Sequence, residues 1–490
     1  MTTDIPALAE RARSVEVVVV GAGAAGLVAA LEFAKVGMRV TVIEAAARTG
    51  GALRSEVLDG LAVDLGAESF ATRGGHVASV IAEAGLESRI VSPAPGGAWV
   101  AGLPGGAAAP LPTGGVLGIP ANPWDPAVRR VLGPRGTWRA YLDRLRPPLT
   151  IGHEHSLGTL VRSRMGPAVL DRLVAPVTAG VYSAHPDDID VEAAAPGLSA
   201  ALTRTGSLSG AVAALRAGAG APGSAVQGLD GGMAQLADAL VRRLAEREAV
   251  VTTGTVAVAL ERGAGGAWHV RTDGSAYRAD IVVIATGESK ARRLLSPLLA
   301  HPTPDAVGSG LDTEDPGPDV EIVAVVVDAP ALDAAPRGSG VLTVPGSHRA
   351  KALTHATAKW PWLGRDAGPG RHVLRVSFGA QGEPPATADL DDRAAADLTL
   401  REASVLLGVP LETASVRAAG RARYRQSQPA AVLGRRERVE RAREAIATLP
   451  GIGAVGAWLS GTGLAHVVPD AIEQAGLLRR GALFSDAGQP

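Results

Sequence analysis

A glycine-rich turn between a strand pattern and a helix pattern constrains the fold of this chain more than any other feature. Residues 15–20 are apolar and β-branched apart from one glutamate, which predicts a buried parallel strand. Residues 24–36 then carry a helical apolar period, and Gly37 stands where a helix C-cap belongs. A second apolar run, residues 38–43, ends at Glu44. The sequence therefore predicts a βαβ unit at the start of the chain.

The turn itself has the spacing of a dinucleotide phosphate loop. Gly21 would make the tight turn, Gly23 would let the backbone approach a pyrophosphate, and Gly26 would allow close helix–strand packing. The start of the helix supplies N–H groups and a positive dipole for phosphate. Glu44 lies 18 residues past the last glycine, where it would accept hydrogen bonds from the ribose hydroxyls. The predicted loop consists of Gly21, Ala22, Gly23, Ala24, Ala25 and Gly26.

Composition excludes several other kinds of chemistry. With 490 residues, two or three domains are expected. The net charge of −1 provides no positive surplus for nucleic acid. The absence of cysteine excludes disulfides, thiolate catalysis, cysteine-held metals and a flavin linked through sulfur. His153 and His155 have no evident third ligand, so no metal is predicted.

Hydropathy and amino-acid usage predict a cytoplasmic bacterial protein. No run of about 18 apolar residues is free of charge, and residues 1–14 lack the apolar middle of a secretory signal. Only four of the 48 basic residues are lysine, which together with the many alanines and glycines indicates a GC-rich genome.

Two further glycine segments favour FAD. Residues 44–51 continue the signature of FAD oxidases of the amine-oxidase superfamily, in which a second glycine pair passes beneath the flavin and diphosphate. Residues 64–70 follow at the spacing that brings backbone to the isoalloxazine ring. The candidate FAD contacts beyond the phosphate loop are Glu44, Ala45, Arg48, Gly50, Gly51, Ala52, Gly66, Ala67, Glu68, Ser69, Val256, Ala285, Tyr424, His466, Val467 and Val468.

Over nearly its whole length the chain resembles the protoporphyrinogen/coproporphyrinogen oxidase family. Residues 172–183, R-L-V-A-P-V-T-A-G-V-Y-S, are similar to a family pattern that general amine oxidases do not share. Residues 228–233 resemble the family's glycine-pair helix start. Residues 340–345 resemble its substrate-domain strand, and residues 357–361 resemble its S-x-K-[WF]-P element.

The resemblance implies a non-covalent FAD, a porphyrinogen substrate, and molecular oxygen as the acceptor that is reduced to hydrogen peroxide. A methylene bridge would give hydride to flavin N5, so no catalytic side chain is required. The protein would orient the substrate, exclude water and bind propionates with cations. Arg54 matches a family arginine near the flavin, and Arg73 and Lys359 are further candidates for carboxylate contact. Later heme-pathway enzymes are expected as transient partners.

The resemblance also implies an α/β fold with α+β elements, divided into discontinuous domains. A Rossmann-like FAD domain of the glutathione-reductase/amine-oxidase type would comprise residues 1–75, 224–300 and 452–490. A substrate domain with a mixed sheet would comprise residues 76–111, 205–223 and 301–451. A helical subdomain, residues 112–204, resembles the family's membrane-facing domain and is expected to touch lipid at most peripherally.

Three segments depart from the family pattern. Residues 96–99 lack the arginine that precedes an aromatic in many protoporphyrinogen oxidases, and residues 429–435 differ from its P-Q-Y-x-x-G-H. Residues 465–470 replace its G-V-G-I-P-D, although a predicted strand at 452–459 and a following helix keep the right order.

Coproporphyrinogen III oxidation is the first functional prediction. It rests on the bacterial composition, the soluble character and the missing arginine before Trp99. Protoporphyrinogen IX is the alternative substrate. A flavin amine oxidase would need an aromatic cage, and aromatics are only 3% of the chain. A flavin-binding protein that does not turn over substrate is a further alternative, because residues 465–468 differ from the family pattern.

Overall fold

The computed structural model describes residues 5–146, 154–217, 226–299, 317–425, 427 and 431–484. The strands are β1 Glu16–Val20, β2 Arg39–Ile43, β3 Ser55–Leu58, β4 Leu61–Asp64, β5 Phe70–Ala71, β6 Ile90–Val91, β7 Ala98–Leu103, β8 Ala107–Pro110, β9 Gly115–Val116, β10 Ile119–Pro120, β11 Val226–Leu229, β12 Val250–Thr252, β13 Ala257–Arg262, β14 Trp268–Thr272, β15 Ala276–Ala279, β16 Ile281–Ile284, β17 Asp319–Asp328, β18 Gly340–Thr343, β19 Ala350–His355, β20 Arg371–Phe378, β21 Val416–Arg425 and β22 Ile452–Ala454.

The helices are α1 Ile5–Ser14, α2 Ala24–Ala34, α3 His76–Glu83, α4 Pro126–Tyr141, α5 Leu157–Met165, α6 Pro167–Val169, α7 Ala175–Tyr182, α8 Val191–Ala194, α9 Leu198–Thr205, α10 Leu208–Ala217, α11 Gln235–Ala245, α12 Glu288–Leu299, α13 Ala356–Lys359, α14 Pro361–Ala367, α15 Asp392–Leu407, α16 Arg435–Ala447, α17 Ala457–Ser460 and α18 Leu464–Phe484. A π-helical turn, Leu170–Val174, joins α6 to α7.

A five-stranded parallel sheet, in the order β12-β2-β1-β16-β22, carries the predicted βαβ unit. Its two central strands are buried on both faces, which explains why each reads as a continuous apolar run in the sequence. Helix α2 is buried between this sheet and helices α11 and α18. The sheet takes its strands from three distant parts of the chain, and the α/β fold class predicted from the sequence is confirmed.

A second, seven-stranded sheet has the order β21-β17-β20-β19-β18-β7-β8. Its pairs are antiparallel except β18 with β7, which makes it the mixed sheet expected from the sequence. Helix α15 covers one face, and α13 and α14 pack on the other with Trp360 and Trp362. Because both faces are covered, packing holds the strands of this sheet in place, and the strands can position side chains.

Helices α4 to α10 form a third unit around their own apolar core. A buried ion pair links segments of this unit. Arg164 Nε lies 2.5 Å from Asp143 Oδ1, and Asp143 Oδ2 accepts a hydrogen bond from Leu208 N at 2.5 Å. Such a pair is stable in a core only when its remaining polar atoms are also satisfied. Helix α7 contacts strands β18 and β19, so the end of this helix lies against the seven-stranded sheet.

The predicted strand at residues 452–459 is wrong in its second half. Strand β22 ends at Ala454, and helix α17 begins at Ala457. Gly456 has a φ of +121°, a conformation that a strand residue with a side chain rarely adopts, and it breaks the strand. The predicted domain boundaries at 223–224 and 300–301, and His153, lie outside the described residues. Across the described ranges, no helix is long and apolar enough to span a membrane.

Candidate functional site

The phosphate loop is tightly packed on one side and open on the other. Gly21 has a φ of +110°, and a Cβ there would lie 2.7 Å from the carbonyl oxygen of Ala285. A Cβ on Gly26 would lie 1.9 Å from Gly21 O, so helix and strand approach more closely than any side chain allows. A Cβ on Gly23 would meet nothing within 4 Å. The loop therefore leaves free space where a phosphate group would bind.

Glu44 lies at the mouth of this loop. Its Oε2 accepts a hydrogen bond from Ala22 N at 2.8 Å, and its Oε1 accepts one from Ala46 N at 2.8 Å. An ionised carboxylate can accept about four hydrogen bonds, so both oxygens keep acceptor capacity. Glu44 is thus fixed in place and still able to accept from ribose hydroxyls.

The second glycine pair lies beside the phosphate loop. Gly50 N donates to Ala22 O at 2.8 Å, and a Cβ on Gly51 would lie 3.3 Å from the Cα of Gly23. The exposed Arg48 donates through Nη2 to Gly51 O at 3.5 Å. Residues 28 positions apart in the sequence therefore line one cradle.

A cavity of about 550 Å³ opens above this cradle. That volume is within the range of cofactor and ligand sites. Seven of the predicted contacts line it, namely Gly21, Gly23, Glu44, Ala45, Gly51, Val256 and Ala285. Sequence reasoning missed the other polar lining residues, Thr255, Thr286, Lys290 and Arg293. The last three follow β16, which pairs in parallel with β1, so its carboxyl end lies next to the phosphate loop. Residues that follow such a neighbouring strand could have been predicted to line the site.

The segment predicted to approach the isoalloxazine ring lies beside a buried hydroxyl of β21 that has no partner among the described residues. A Cβ on Gly66 would lie 1.9 Å from Ala52 O and 3.0 Å from Tyr424 Oη. Tyr424 Oη is buried and forms no hydrogen bond with any described residue. Burial raises the pKa of Tyr424, while the charge of Arg54 opposes that rise. A buried polar atom normally finds a partner, so this site fits a bound group with polar atoms.

Glu68 is held by two cations. Its carboxylate pairs with Lys359 and with Arg375, and Arg375 Nη2 also donates to Gly66 O at 2.8 Å. Burial alone would raise the pKa of Glu68, but Arg375 and Lys359 outweigh it and bring the pKa to about 2. This ion triad fastens the Gly66 segment to the seven-stranded sheet. Arg375 was not predicted, because nothing in the sequence indicates the register that brings β20 to this segment.

The three predicted substrate cations have different surroundings. Arg54 pairs with Glu56, and Lys359 pairs with Glu68. Arg73 has no carboxylate partner among the described residues, and its Nη2 lies 3.0 Å from His466 Nε2. Burial and the charge of Arg73 lower the pKa of His466.

A tyrosine from the third unit completes this group. Burial raises the pKa of Tyr182, at the end of α7, and the charge of Arg73 opposes that rise. Val467 and Val468, in the first turn of α18, are buried beside His466. The structure therefore brings the loop after β5, the start of α18 and the end of α7 to one place.

Residues 24–476 match the family described as flavin containing amine oxidoreductase. The chain belongs to this family. The match begins at the first residue of α2 and extends through the seven-stranded sheet into α18, and the family's description implies a flavin cofactor.

Relatives within the flavin amine oxidoreductases are similar over the whole length. The chain is 32% identical to the coproporphyrinogen III oxidase of Mycobacterium tuberculosis over 470 residues, 94% of this chain and 95% of that protein. It is 26% identical to the coproporphyrinogen III oxidase of Bacillus subtilis, covering 94% of this chain and 96% of that protein. A crystal structure of a candidate protoporphyrinogen oxidase from Exiguobacterium superposes with a TM-score of 0.80 at 24% identity, covering 96% and 99% of the two chains, which shows the shared fold.

Proposed function

We propose that this flavin oxidoreductase binds FAD non-covalently and oxidises coproporphyrinogen III to coproporphyrin III, with molecular oxygen as acceptor and hydrogen peroxide as product. The observation that carries the proposal is similarity over 94% of the chain to relatives named coproporphyrinogen III oxidase. The activity would belong to bacterial heme biosynthesis.

The cradle supports FAD as the cofactor. The open space at Gly23 suits a diphosphate, Glu44 suits a ribose, and the 550 Å³ cavity suits the nucleotide half. A chain without cysteine has no thiol to link a flavin covalently. When bound, the flavin accepts the electrons that leave the substrate, so the side chains need only bind and orient the reactants.

Arg73 is the best placed of the three cations to bind a propionate. The charges of Arg54 and Lys359 are already paired with Glu56 and Glu68, whereas Arg73 has no carboxylate partner among the described residues. A carboxylate at Arg73 would lie next to the start of α18, where the flavin ring is proposed to lie. Charge-assisted hydrogen bonds from arginine hold such carboxylates in a fixed orientation.

Aerobic turnover of coproporphyrinogen III and of protoporphyrinogen IX tests this function. We expect porphyrin fluorescence and peroxide to rise together, with a higher kcat/KM for coproporphyrinogen III. Equal values for both substrates would contradict the preference. Turnover of neither porphyrinogen would favour a flavin-binding protein without this activity.

The surface of α4 supports a peripheral contact with an anionic bilayer, which we propose as a secondary property. Trp124, Trp138 and Tyr141 form an edge-to-face cluster with centroid distances of 5.0 to 6.1 Å. Trp138 is 57% exposed and the nearby Leu145 is 78% exposed. The exposed arginines around them are Arg129, Arg130, Arg135, Arg144 and Arg146. Aromatic side chains with cations are favoured at lipid headgroups.

Sedimentation with vesicles tests this contact. Trp138→Ser should weaken binding to anionic vesicles by roughly tenfold, because a large aromatic surface no longer enters the interface. Val405→Ser removes an isolated apolar side chain, 61% exposed on α15, and should leave binding unchanged. Equal effects of both substitutions, or no vesicle binding by the unaltered protein, would overturn the proposal.

A further inference from the structure

Lys351 reaches from the seven-stranded sheet to the end of α7. It lies on β19, and its Nζ donates to Ser183 Oγ at 2.7 Å. Ser183 directly follows Tyr182 and has a φ of +55°, a conformation that residues other than glycine seldom adopt. Gln381 N holds the same serine by donating to its carbonyl oxygen at 2.9 Å. Strained backbone that is fixed from two sides is common where a ligand binds.

Within the part of the chain that the structure describes, this ammonium group has no carboxylate partner. Ser183 Oγ is its one hydrogen-bond partner among the described residues. By contrast, Lys35 pairs with two glutamates and Lys359 pairs with Glu68. Burial lowers the pKa of Lys351 to about 7. A partly buried cation that is bound only by a neutral hydroxyl is incompletely compensated, and a carboxylate from outside the chain would supply the missing charge.

The position of Lys351 links it to the proposed substrate site. Tyr182, the neighbour of its serine partner, lies close enough to Arg73 for the arginine charge to act on its pKa. Arg73 in turn contacts His466 at the start of α18. Arg73 and Lys351 therefore approach the end of α7 from two different units of the fold. Ligands bind preferentially at such junctions between domains.

A second buried polar atom without a partner among the described residues belongs to Gln381, which contacts Ser183 through its backbone. The side-chain oxygen of Gln381 is buried and accepts no hydrogen bond from a described residue. Ser183 therefore contacts the uncompensated cation through its hydroxyl group, and contacts the residue with the unused acceptor through its carbonyl oxygen. A ligand with both a carboxylate and N–H donors would satisfy these two groups, and a porphyrinogen carries both.

We propose that Lys351 binds one of the two propionates that coproporphyrinogen III carries where protoporphyrinogen IX has vinyl groups, and thereby favours a substrate with four carboxylates over one with two. This inference rests on the proposed function. Lys351 is then a residue that determines substrate specificity, and it reaches the site from the seven-stranded sheet.

Kinetics of Lys351→Met with both porphyrinogens test the inference. The KM for coproporphyrinogen III should rise on the order of 10- to 100-fold, the effect of losing one charged hydrogen bond. The kcat, and the KM for protoporphyrinogen IX, should change much less. Lys351→Arg should recover part of the affinity, because it keeps the charge. Binding of coproporphyrin III, followed by porphyrin fluorescence, should weaken in Lys351→Met by a similar factor.

Two further variants separate binding from folding. Arg349→Met removes an exposed cation two residues away and should leave every parameter unchanged. Lys351→Gln keeps a hydrogen-bond donor for Ser183 but removes the charge. If Lys351→Met unfolds at a lower temperature or loses flavin, Lys351→Gln shows whether the charge itself binds substrate. It should also raise the KM selectively.

The possible outcomes are distinct. An unchanged KM for coproporphyrinogen III in Lys351→Gln, or an equal rise in KM for both substrates, overturns this inference and leaves the proposed function standing. A fall in kcat alone overturns the binding role. An unaltered protein that oxidises neither porphyrinogen overturns the proposed function and this inference with it.

Discussion

At the scale of single residues, the cofactor cradle depends on side chains that contacts within the protein already hold in place. Glu44 is held by two backbone N–H groups, and Glu68 is held by Arg375 of the seven-stranded sheet and by Lys359 of α13. Side chains that are already oriented lose little entropy when a ligand binds. Substitution at either glutamate should therefore have a specific and measurable effect.

Glu44→Ala should weaken FAD binding by roughly 10- to 100-fold, because hydrogen bonds from the ribose to a charged acceptor are lost. Titration of the flavin-free protein with FAD, followed by quenching of flavin fluorescence, measures this change. Glu87→Ala alters an exposed glutamate of the same unit and serves as the matched control. Unchanged affinity in Glu44→Ala would show that the ribose assignment is wrong.

Glu68 should make stability depend on acid pH. Its folded pKa of about 2 lies below its ordinary value of 4.5, so its contribution is present above the ordinary value and is lost as pH falls toward 2. The contribution is on the order of 3 kcal/mol. Urea unfolding at several acid pH values should show wild-type stability falling toward that of Glu68→Gln. A difference between the two proteins that stays constant with pH would contradict this account.

At the scale of elements, the phosphate loop separates two roles of glycine. Gly26 is required for packing, since a Cβ there overlaps Gly21 O, whereas a Cβ on Gly23 meets only open space. The βαβ unit was predictable because its strands and helix are each defined by local pattern. The break at Gly456 was not, since a glycine in a strand pattern does not reveal its φ.

Gly26→Ala and Gly23→Ala should therefore behave differently. Gly26→Ala should destabilise the flavin-free protein by about 1–3 kcal/mol or more, because α2 must move away from β1. Gly23→Ala should leave the stability of the flavin-free protein unchanged but lower its affinity for FAD, because the methyl group occupies the proposed phosphate space. Thermal unfolding without FAD, together with FAD titration, measures both. Equal loss of stability in the two variants would refute this distinction.

At the scale of the whole molecule, the candidate site forms where three units of the fold meet. The sequence predicted the segments that carry Arg73, Tyr182 and His466, because each lies in or near a recognisable motif. It did not predict their mutual contacts, nor the parts played by Arg375 and Lys351. These two lie on strands of the mixed sheet, and their contacts with Glu68 and Ser183 join residues 307 and 168 positions apart.

The central claim is that a porphyrinogen reduces a flavin bound in this cradle. The most direct test is to mix the FAD-loaded protein with coproporphyrinogen III without oxygen and to follow flavin absorbance. The account predicts that the oxidised flavin spectrum disappears while coproporphyrin forms, and that admitting oxygen restores it with release of hydrogen peroxide. An oxidised flavin spectrum that persists in the presence of excess coproporphyrinogen III would contradict the account.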